Sequence, residues 1–329
     1  MTAIAPDDMT NAIARPAGTL DLVITSITEQ TPAIRTFTVA AADGHELPAF
    51  IPGSHLVVHA GPHVNAYSLT NDGVRPTEYT ISVLRIADGN GGSVWLHDVA
   101  RVGDPITVGL PRSAFAPIAR ARKHLLIAGG IGVTPILSHA RAARRWGRDI
   151  QLLYTFRPGH AAHMHDLVEL TGRSTELFTD RMTFAERLDV ALTEQPVGTH
   201  LYTCGPAAMI DHVIGAAVAA GWPQSRIHHE RFGIDALDAG DPFTVRLTES
   251  GRVVEVPSGT SLLESLEDNG IAVKNRCRQG VCGECRIPVT AGRPIHRDLY
   301  LSDEEKNACT ALMPCVSRAE AGAVLEVPL

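Results

Sequence analysis

The stretch Cys277-Arg278-Gln279-Gly280-Val281-Cys282-Gly283-Glu284-Cys285 decides how the C-terminal part of this 329-residue chain folds. Its cysteines are separated by four and then by two residues, and twenty-nine more precede Cys315. This is the plant-type ligand spacing of a [2Fe–2S] cluster, in which each of two irons takes two thiolates. Gly280 and Gly283 let the backbone wrap tightly and direct N–H groups at sulfur. The predicted ligands are Cys277, Cys282, Cys285 and Cys315.

The cysteine pattern leaves two alternatives to this assignment: a structural zinc site, or a cluster with Cys309 as the fourth ligand. A structural zinc site usually pairs Cys-x2-Cys with a second such pair or a His pair, and no second pair follows here. Cys309 is a rival fourth ligand, but Ser302-Asp303-Glu304-Glu305 has capping-box spacing, which predicts a helix that includes Cys309. Cys315 follows Pro314 in a segment that we expect to be extended. We therefore expect Cys309 to be a plain core thiol.

The composition is that of an ordinary globular protein with two domains or three small ones. The chain is 44% hydrophobic and 20% charged, and its net charge of −7 argues against nucleic-acid binding, which depends on clustered positive charge. No uninterrupted apolar run of about 18 residues is available for a membrane span. The N-terminus lacks the features of a signal peptide. We therefore expect a cytoplasmic protein that does not enter a membrane.

The sequence changes character several times along the chain. Residues 1–17 show no periodicity, which predicts a mobile tail. From 18 to 118, short alternating runs separated by Gly or Pro predict an antiparallel barrel or sandwich. From 119 to 232, strands alternate with helices, which predicts a parallel sheet. Residues 233–241 have the composition of a linker, and 242–329 carry a hairpin, a helix and the cysteine loop.

A glycine-rich turn starts the α/β region. Leu125–Ala128 predicts a short strand, and Gly129-Gly130-Ile131-Gly132-Val133-Thr134-Pro135 follows it. Thr134 as N-cap and Pro135 as the first helical residue agree with the preferences of helix starts. The order strand, glycine turn, helix is more specific than a glycine turn alone.

The cysteine loop, with His296-Arg297-Asp298 and Cys315-Val316-Ser317-Arg318-Ala319, resembles the C-terminal ferredoxin of the phthalate dioxygenase reductase family. Vanillate demethylase reductase subunits and the reductase tails of some self-sufficient cytochromes P450 belong to the same group. The resemblance extends from about Gly18 to the end of the chain. It implies a multidomain protein with an antiparallel β-barrel flavin domain, an α/β Rossmann-like nicotinamide domain and a β-grasp ferredoxin domain, in that order.

The resemblance implies a flavin site in the barrel. Tyr67-Ser68-Leu69-Thr70-Asn71 resembles the family's Arg-x-Tyr-Ser motif, in which the Tyr ring packs on the flavin and the Ser hydroxyl bonds its hydride-accepting N5. Arg85 and the turn Gly91-Gly92-Ser93 match the family's phosphate anchors, and with a C-terminal ferredoxin they imply FMN and not FAD. The family's arginine is Asn65 here, which carries no charge. The implied flavin-site residues are Tyr67, Ser68, Leu69, Ser82, Val83, Arg85, Gly91, Gly92 and Ser93.

The resemblance also implies a nicotinamide site. The glycine turn resembles the signature that lets a pyrophosphate approach the backbone at a helix N-terminus. Tyr202-Thr203-Cys204-Gly205-Pro206 matches the second signature, with Cys204 where nicotinamide lies against flavin; a buried structural thiol is the alternative. His229-Glu230-Arg231-Phe232 matches the segment whose aromatic ring covers the flavin. The implied residues are Gly129, Gly130, Gly132, Thr134, Pro135, Cys204, Gly205, Pro206, Glu230 and Phe232.

Selectivity between the two nicotinamide cofactors is predicted from Asp180. Its carboxylate follows the strand expected over 176–179, where it could bond the adenosine 2′-hydroxyl and repel a 2′-phosphate. Arg181 beside it could instead bind a 2′-phosphate and favour NADPH. We favour NADH, as the family does. Among the fifteen histidines, His160, His163 and His165 share one polar loop and are expected to be solvated, not metal-bound.

The expected activity is electron transfer from NADH through FMN and the [2Fe–2S] cluster to a partner. Hydride passes from nicotinamide C4 to flavin N5, with Ser68, Cys204 and Phe232 as the residues at the reacting rings. The expected partner is a terminal oxygenase, a Rieske non-haem iron enzyme first and a cytochrome P450 second. The alternative is a ferredoxin-like carrier or sensor whose flavin site has decayed with Asn65.

Overall fold

The structure, a computed structural model, describes residues 19–113, 115–118, 120–232, 240–275, 280, 283–298 and 300–329. The predicted tail at residues 1–17 and residues 233–239 of the predicted linker lie outside the described residues. The described residues form a six-stranded sheet, then a five-stranded sheet, then a three-stranded and a two-stranded sheet. The predicted multidomain organisation is thereby confirmed, while the domain boundaries stay predictions.

The six-stranded antiparallel sheet forms a nearly closed barrel. Its strands are β1 (Thr19–Thr31), β2 (Ile34–Ala40), β3 (His55–Ala60), β4 (His63–Ser68), β5 (Glu78–Leu84) and β6 (Pro105–Gly109). They are ordered β4-β3-β6-β1-β2-β5. The two end strands meet where Leu69 forms an isolated bridge with Ile81 and the Thr70 N–H donates to the Thr80 carbonyl at 2.9 Å. Because β4 and β5 meet there, Ser68 lies beside β5.

Alternation along these strands fills the barrel. Phe37, Leu56, Val58 and Ile81 are fully buried in one apolar cluster, because successive side chains of a strand point to opposite faces. A seven-residue helix, α1 (Gly92–Asp98), follows β5. The sequence predicted only a turn at Gly91-Gly92-Ser93, so that interpretation was incomplete.

The second sheet is parallel and has helices on both faces. Its strands are β7 (Lys123–Gly129), β8 (Asp149–Thr155), β9 (Thr175–Phe178), β10 (Thr199–Cys204) and β11 (Ile227–Glu230), ordered β11-β10-β7-β8-β9. Its helices are α2 (Val133–Arg145), α3 (Met164–Thr171), α4 (Arg181–Thr193) and α5 (Ala207–Ala219). Leu126 packs with α2 and α3, whereas Leu125 and Ile127 pack with α4 and α5. The predicted Rossmann-like domain is confirmed.

The start of α2 differs from the prediction. Residues Gly130–Gly132 form a short 3-10 turn, Gly132 is the N-cap, and α2 begins at Val133. Thr134 is therefore inside the helix, where its hydroxyl donates to the Ile131 carbonyl at 3.0 Å. The predicted N-cap role of Thr134 was wrong. The Val133 N–H bonds to backbone carbonyls of the 3-10 turn, and no side chain caps the start of the helix.

The C-terminal domain has a β-grasp arrangement. Strand β12 (Phe243–Leu247) pairs antiparallel with β13 (Val253–Val256) and parallel with β16 (Val324–Val327). The remaining elements are α6 (Leu262–Asp268), β14 (Ile287–Pro288), α7 (Asp303–Ala308) and β15 (Ala311–Leu312). Ser302 and Glu305 form the predicted capping box at the start of α7. Cys309, however, is the C-cap at φ 52° and not a helical residue.

The domains contact one another through specific residues. Ile34 and Leu84 of the barrel pack into the apolar core beneath α2 and α3. Arg145 of α2 forms a salt bridge with Asp72 of the barrel. Arg112, which follows the barrel, donates to the Gly259 carbonyl at 3.4 Å and lies 3.6 Å from Glu264 of the ferredoxin domain. Within the described ranges, no helix has both the length and the apolar character to cross a membrane.

Candidate flavin, nicotinamide and iron–sulfur sites

The end of β4 carries buried polar atoms that suit a ligand. Tyr67 Oη and Ser68 Oγ are both buried, and neither has a hydrogen-bond partner among the described residues. Burial raises the pKa of Tyr67 to about 12, so the phenol is neutral. Buried polar atoms without partners are rare and demand an explanation. Both atoms fit a flavin that lies beside the junction of β4 and β5, and Leu69, which directly follows β4, is fully buried.

Ser82 and Val83, the two predicted flavin-site residues on β5, already form hydrogen bonds within the protein. The Ser82 hydroxyl contacts Thr36 Oγ1 at 2.8 Å and His163 Nε2 at 2.7 Å. The Val83 carbonyl accepts a hydrogen bond from His97 Nε2 at 2.9 Å. The expectation that His163 is solvated was wrong, because its side chain is 4% exposed. His165 is 92% exposed, as expected.

Two side chains of β4 lie against the glycines that begin α1. A Cβ on Gly91 would lie 2.5 Å from His63 Cε1, and a Cβ on Gly92 would overlap Asn65 Oδ1. Asn65 Oδ1 is buried without a partner among the described residues, while its Nδ2 donates to Asn90 Oδ1 at 2.9 Å. An amide stands here where the family has a guanidinium, so this position carries no charge.

Arg85 is already paired. Its Nη2 lies 2.7 Å from Asp98 Oδ2 and its Nε 3.2 Å from Asp98 Oδ1, which raises the pKa of the guanidinium and lowers that of the carboxyl. Asp98 is the last residue of α1, whereas Gly91 and Gly92 stand at the start. Ser93 Oγ accepts from the Ile86 N–H at 3.1 Å. A phosphate contact of Arg85 therefore competes with Asp98.

The glycines of the nicotinamide turn fit closely against the end of β10. A Cβ on Gly132 would overlap the Cys204 carbonyl, and one on Gly205 would lie 2.9 Å from Gly129 Cα. Pro206 is the N-cap residue of α5, and Pro135 is buried in the first turn of α2. The two signatures thus meet backbone to backbone at the carboxyl edge of the parallel sheet, where ligands of such sheets bind.

Cys204 is a neutral, fully buried thiol. Burial raises its pKa well above the ordinary value, and the carboxylate of Glu230, whose Oε2 lies 4.0 Å from Sγ, raises it further. The thiol is therefore no nucleophile at neutral pH. Thr203 Oγ1 beside it is buried without a partner among the described residues, and Phe232 is 41% exposed.

Asp180 has a structural role that the sequence analysis missed. It is the N-cap of α4, and its Oδ1 accepts from the N–H groups of Thr183 at 2.9 Å and Met182 at 3.0 Å. The Thr183 bond is the main reason why the pKa of its carboxyl is lowered. A role in NADH selection stays a prediction.

Two of the predicted iron ligands meet in the ferredoxin domain. Cys285 and Cys315 are buried, and their sulfurs lie 3.3 Å apart. This contact lowers the pKa of the Cys285 thiol to about 7. Cys277 and Cys282 lie outside the described residues. Cys309 Sγ instead contacts the Lys306 carbonyl at 3.3 Å.

Glycines shape the cysteine loop. Gly280 has φ 70° and Gly283 has φ 78°, a region that glycine adopts without strain. A Cβ on Gly280 would lie 2.6 Å from Val316 Cγ2, and one on Gly283 would overlap the ring of Tyr300. Two close thiols beside two such glycines fit a [2Fe–2S] cluster.

Two family models match the chain. The "Dimethylamine monooxygenase subunit DmmA-like, N-terminal domain" covers residues 104–227. The "2Fe-2S iron-sulfur cluster binding domain" covers residues 245–320, which includes all four predicted cluster ligands.

Relatives match nearly the whole chain. The heme-dependent oxidative N-demethylase beta subunit of Ectopseudomonas mendocina is 39% identical over 303 residues, which is 91% of this chain and 96% of that protein. Phthalate dioxygenase reductase of Burkholderia cepacia is 37% identical over 312 residues, 92% of this chain and 95% of that protein. The chain belongs to the phthalate dioxygenase reductase family.

A solved phthalate dioxygenase reductase, described as a modular structure for electron transfer from pyridine nucleotides to [2Fe–2S], matches with a TM-score of 0.62 and 36% identity. The match covers 95% of this chain and 98% of that one. Members of the phthalate dioxygenase reductase family are flavin and iron–sulfur oxidoreductases that use FMN, NADH and a [2Fe–2S] cluster. The predicted enzyme class and cofactors are thereby confirmed, and the individual residue roles stay predictions.

Proposed function

We propose that this chain is an oxygenase reductase component that oxidises NADH and passes the electrons through FMN and the [2Fe–2S] cluster to a partner oxygenase. One observation carries the proposal: the Gly130–Gly132 turn packs against β5, the strand whose Ile81 bridges Leu69 next to Ser68. The predicted nicotinamide turn and the predicted flavin strand are therefore neighbours. Hydride transfer requires such contact, because the reacting atoms must approach to about 3–3.5 Å.

The residues of this chain would orient the flavin and the nicotinamide and provide polar contacts to them. When bound, FMN accepts a hydride from NADH and releases two electrons singly, and the cluster carries one electron at a time. Ser68 Oγ, buried without a partner among the described residues, would bond the flavin at its reacting edge. The neutral Cys204 thiol would pack against nicotinamide without attacking it. Phe232, partly exposed, would cover the flavin until nicotinamide displaces it.

Release of single electrons involves the ferredoxin domain. Cys285 and Cys315 would hold the cluster together with Cys277 and Cys282. Arg112 links the barrel to the ferredoxin domain through Gly259 and Glu264. This contact supports transfer inside one chain before an external partner is reduced. NADH supply and reduced thiols make the cytoplasm the compartment that we propose.

The partner has two candidates. A Rieske non-haem iron oxygenase is the first, since the phthalate dioxygenase reductase of Burkholderia cepacia is named for a dioxygenase. A haem enzyme acting on an amine is the second, favoured by the likeness to the heme-dependent oxidative N-demethylase beta subunit and to the dimethylamine monooxygenase subunit model. Coupled NADH oxidation with each purified oxygenase decides between them.

The test of the proposed function uses the full chain with its cofactors reconstituted. We expect stoichiometric FMN on extraction, and we expect anaerobic NADH to bleach the flavin and then the cluster absorbance. Retention of the cluster without FMN binding or NADH oxidation would contradict the proposal and support the ferredoxin-like carrier.

A further inference from the structure

A buried hydrogen bond joins the flavin barrel to the nicotinamide domain. Ser82 Oγ of β5 lies 2.7 Å from His163 Nε2, which belongs to the segment between β8 and α3. Both residues are buried, at 3% and 6% exposure. Thr36 Oγ1 contacts the same hydroxyl at 2.8 Å. A hydrogen bond in such surroundings is electrostatically stronger than one in water.

The second ring nitrogen of His163 fixes the direction of this bond. Nδ1 lies 3.2 Å from Asp166 Oδ2, to which Arg141 Nη2 also donates at 3.3 Å. A carboxylate only accepts, so Nδ1 carries the hydrogen and, in the neutral ring, Nε2 accepts from the Ser82 hydroxyl. The His163 bond is also the main reason why the pKa of Asp166 is lowered. The imidazole is held at both ends.

The same segment is bonded to the nicotinamide turn. The Ala162 N–H donates to Tyr154 Oη at 3.2 Å, and Tyr154 Oη donates to the Gly130 carbonyl at 3.2 Å. A continuous series of contacts therefore runs from Ser82 through His163 and Tyr154 to the glycine turn. This series of contacts connects the flavin strand β5 to the glycine turn.

The backbone of His163 is held in an unfavourable conformation. Its φ is 56°, and only Arg75 and Cys309 share a positive φ among the non-glycine residues that the structure describes. Such a conformation is unfavourable for a residue other than glycine and persists where surrounding contacts over-determine it. The His163 N–H also donates to Gln30 Oε1 of β1 at 3.4 Å. The segment is therefore fixed to the barrel by backbone and side chain.

We propose that His163 is a positioning residue for hydride transfer: it holds the nicotinamide turn at a fixed distance from the flavin strand. The contacts have the Ser-His-Asp order of a hydrolase triad. However, the Ser82 hydroxyl is buried against Thr36, where no substrate can reach it. The proposal rests on the proposed function, because it assumes that NADH reduces FMN across this interface.

Variants of His163 separate the inter-domain bond from the backbone conformation. His163→Asn tolerates positive φ and can keep the Asp166 contact, but it is too short for Ser82. His163→Gln can reach Ser82 and should restore part of the bond. His165→Asn is the matched control, since that side chain lies two residues away, at the start of α3, and is exposed. Ser82→Ala removes the bond from the other side.

The decisive measurement is the first-order rate of flavin reduction by saturating NADH in anaerobic stopped flow. We expect His163→Asn to slow this step by about tenfold to a hundredfold, because a small displacement of the reacting groups has an effect of that size. The FMN dissociation constant should stay within about twofold of wild type. The charge-transfer absorbance of the NADH–flavin complex should weaken in parallel. His163→Gln should recover part of the rate, and His165→Asn should match wild type.

Additivity gives the second criterion. If the two residues act through one bond, Ser82→Ala with His163→Asn should be no slower than the slower single variant. A wild-type rate of flavin reduction in folded His163→Asn, or full additivity of the two changes, would overturn the proposal. This result differs from a failure of the proposed function, because in that case NADH would not reduce the flavin of the wild-type protein either.

Discussion

Cys285 Sγ lies 3.3 Å from Cys315 Sγ, across the twenty-nine residues that separate them in sequence. Thiolates this close can be ligands of the same iron, and both residues are buried. Cys309, the rival in the sequence, has its sulfur 3.3 Å from the Lys306 carbonyl instead. The contact between Cys285 and Cys315 favours the predicted ligand set.

Replacement of Cys315 should therefore abolish the cluster. We expect Cys315→Ser to remove the visible absorbance and the electron paramagnetic resonance signal of the reduced cluster, because one iron loses a thiolate. Cys309→Ser is the matched control and should keep both signals. The reverse pattern would show that Cys309 is the ligand.

Asp180 should influence the choice between NADH and NADPH. Asp180→Ser keeps an N-cap hydroxyl for α4 and removes the negative charge, so the ratio of kcat/KM for NADPH to that for NADH should rise. Asp180→Ala should raise the same ratio and also lower stability by about 1 kcal/mol, because the cap is lost. An unchanged ratio in both variants would assign Asp180 to capping alone.

The FMN phosphate should depend on Arg85 despite its bond to Asp98. Loss of a charge-assisted phosphate contact should weaken FMN binding by at least about tenfold in Arg85→Ala. Riboflavin, which lacks the phosphate, should bind both proteins equally. Asp98→Asn should not weaken FMN binding, because it frees the guanidinium. Equal FMN affinity of Arg85→Ala and wild type in a fluorescence titration would shift the phosphate contact to the residues around Gly91 and Gly92.

Gly132 should not tolerate a side chain. Its Cβ would overlap the Cys204 carbonyl, so Gly132→Ala should displace the nicotinamide turn, lower Tm and weaken NADH binding. Gly215→Ala in α5 is the control, since nothing lies within 4 Å of its Cβ. That change should raise stability by about 0.5–1 kcal/mol. Equal Tm values for the two variants would contradict the close packing of the two turns.

Arg112 should affect electron transfer after flavin reduction. Arg112→Gln removes its charge contact with Glu264, so cytochrome c reduction should fall by a few fold at low salt, while NADH reduces the flavin at the wild-type rate. The effect should shrink at high salt, because the Arg112 side chain is 45% exposed and salt screens exposed charges. A slower flavin reduction step would instead place Arg112 in the hydride-transfer geometry.

Local sequence patterns and the family resemblance together predicted the architecture and the cofactors. The cysteine spacing, the glycine turn between a strand and a helix, and the change from alternating runs to strand–helix alternation are local patterns. Local spacing constrains local backbone geometry, so these patterns predicted a [2Fe–2S] site, a parallel α/β region and an antiparallel barrel or sandwich. The family resemblance selected the barrel and the Rossmann-like domain. The family signatures added FMN and NADH.

The pairing of the polar residues follows from the packing of the elements and not from local sequence patterns. Ser82 and His163 are 81 positions apart, and no sequence pattern around either residue indicates that the two are hydrogen-bonded. The pairing of Arg85 with Asp98 required helix α1, which the sequence analysis did not predict. Asp180 caps α4 because that helix begins at Arg181, directly after it. Hydrogen bonds depend on which elements pack together, and packing joins residues whose separation along the chain carries no signal.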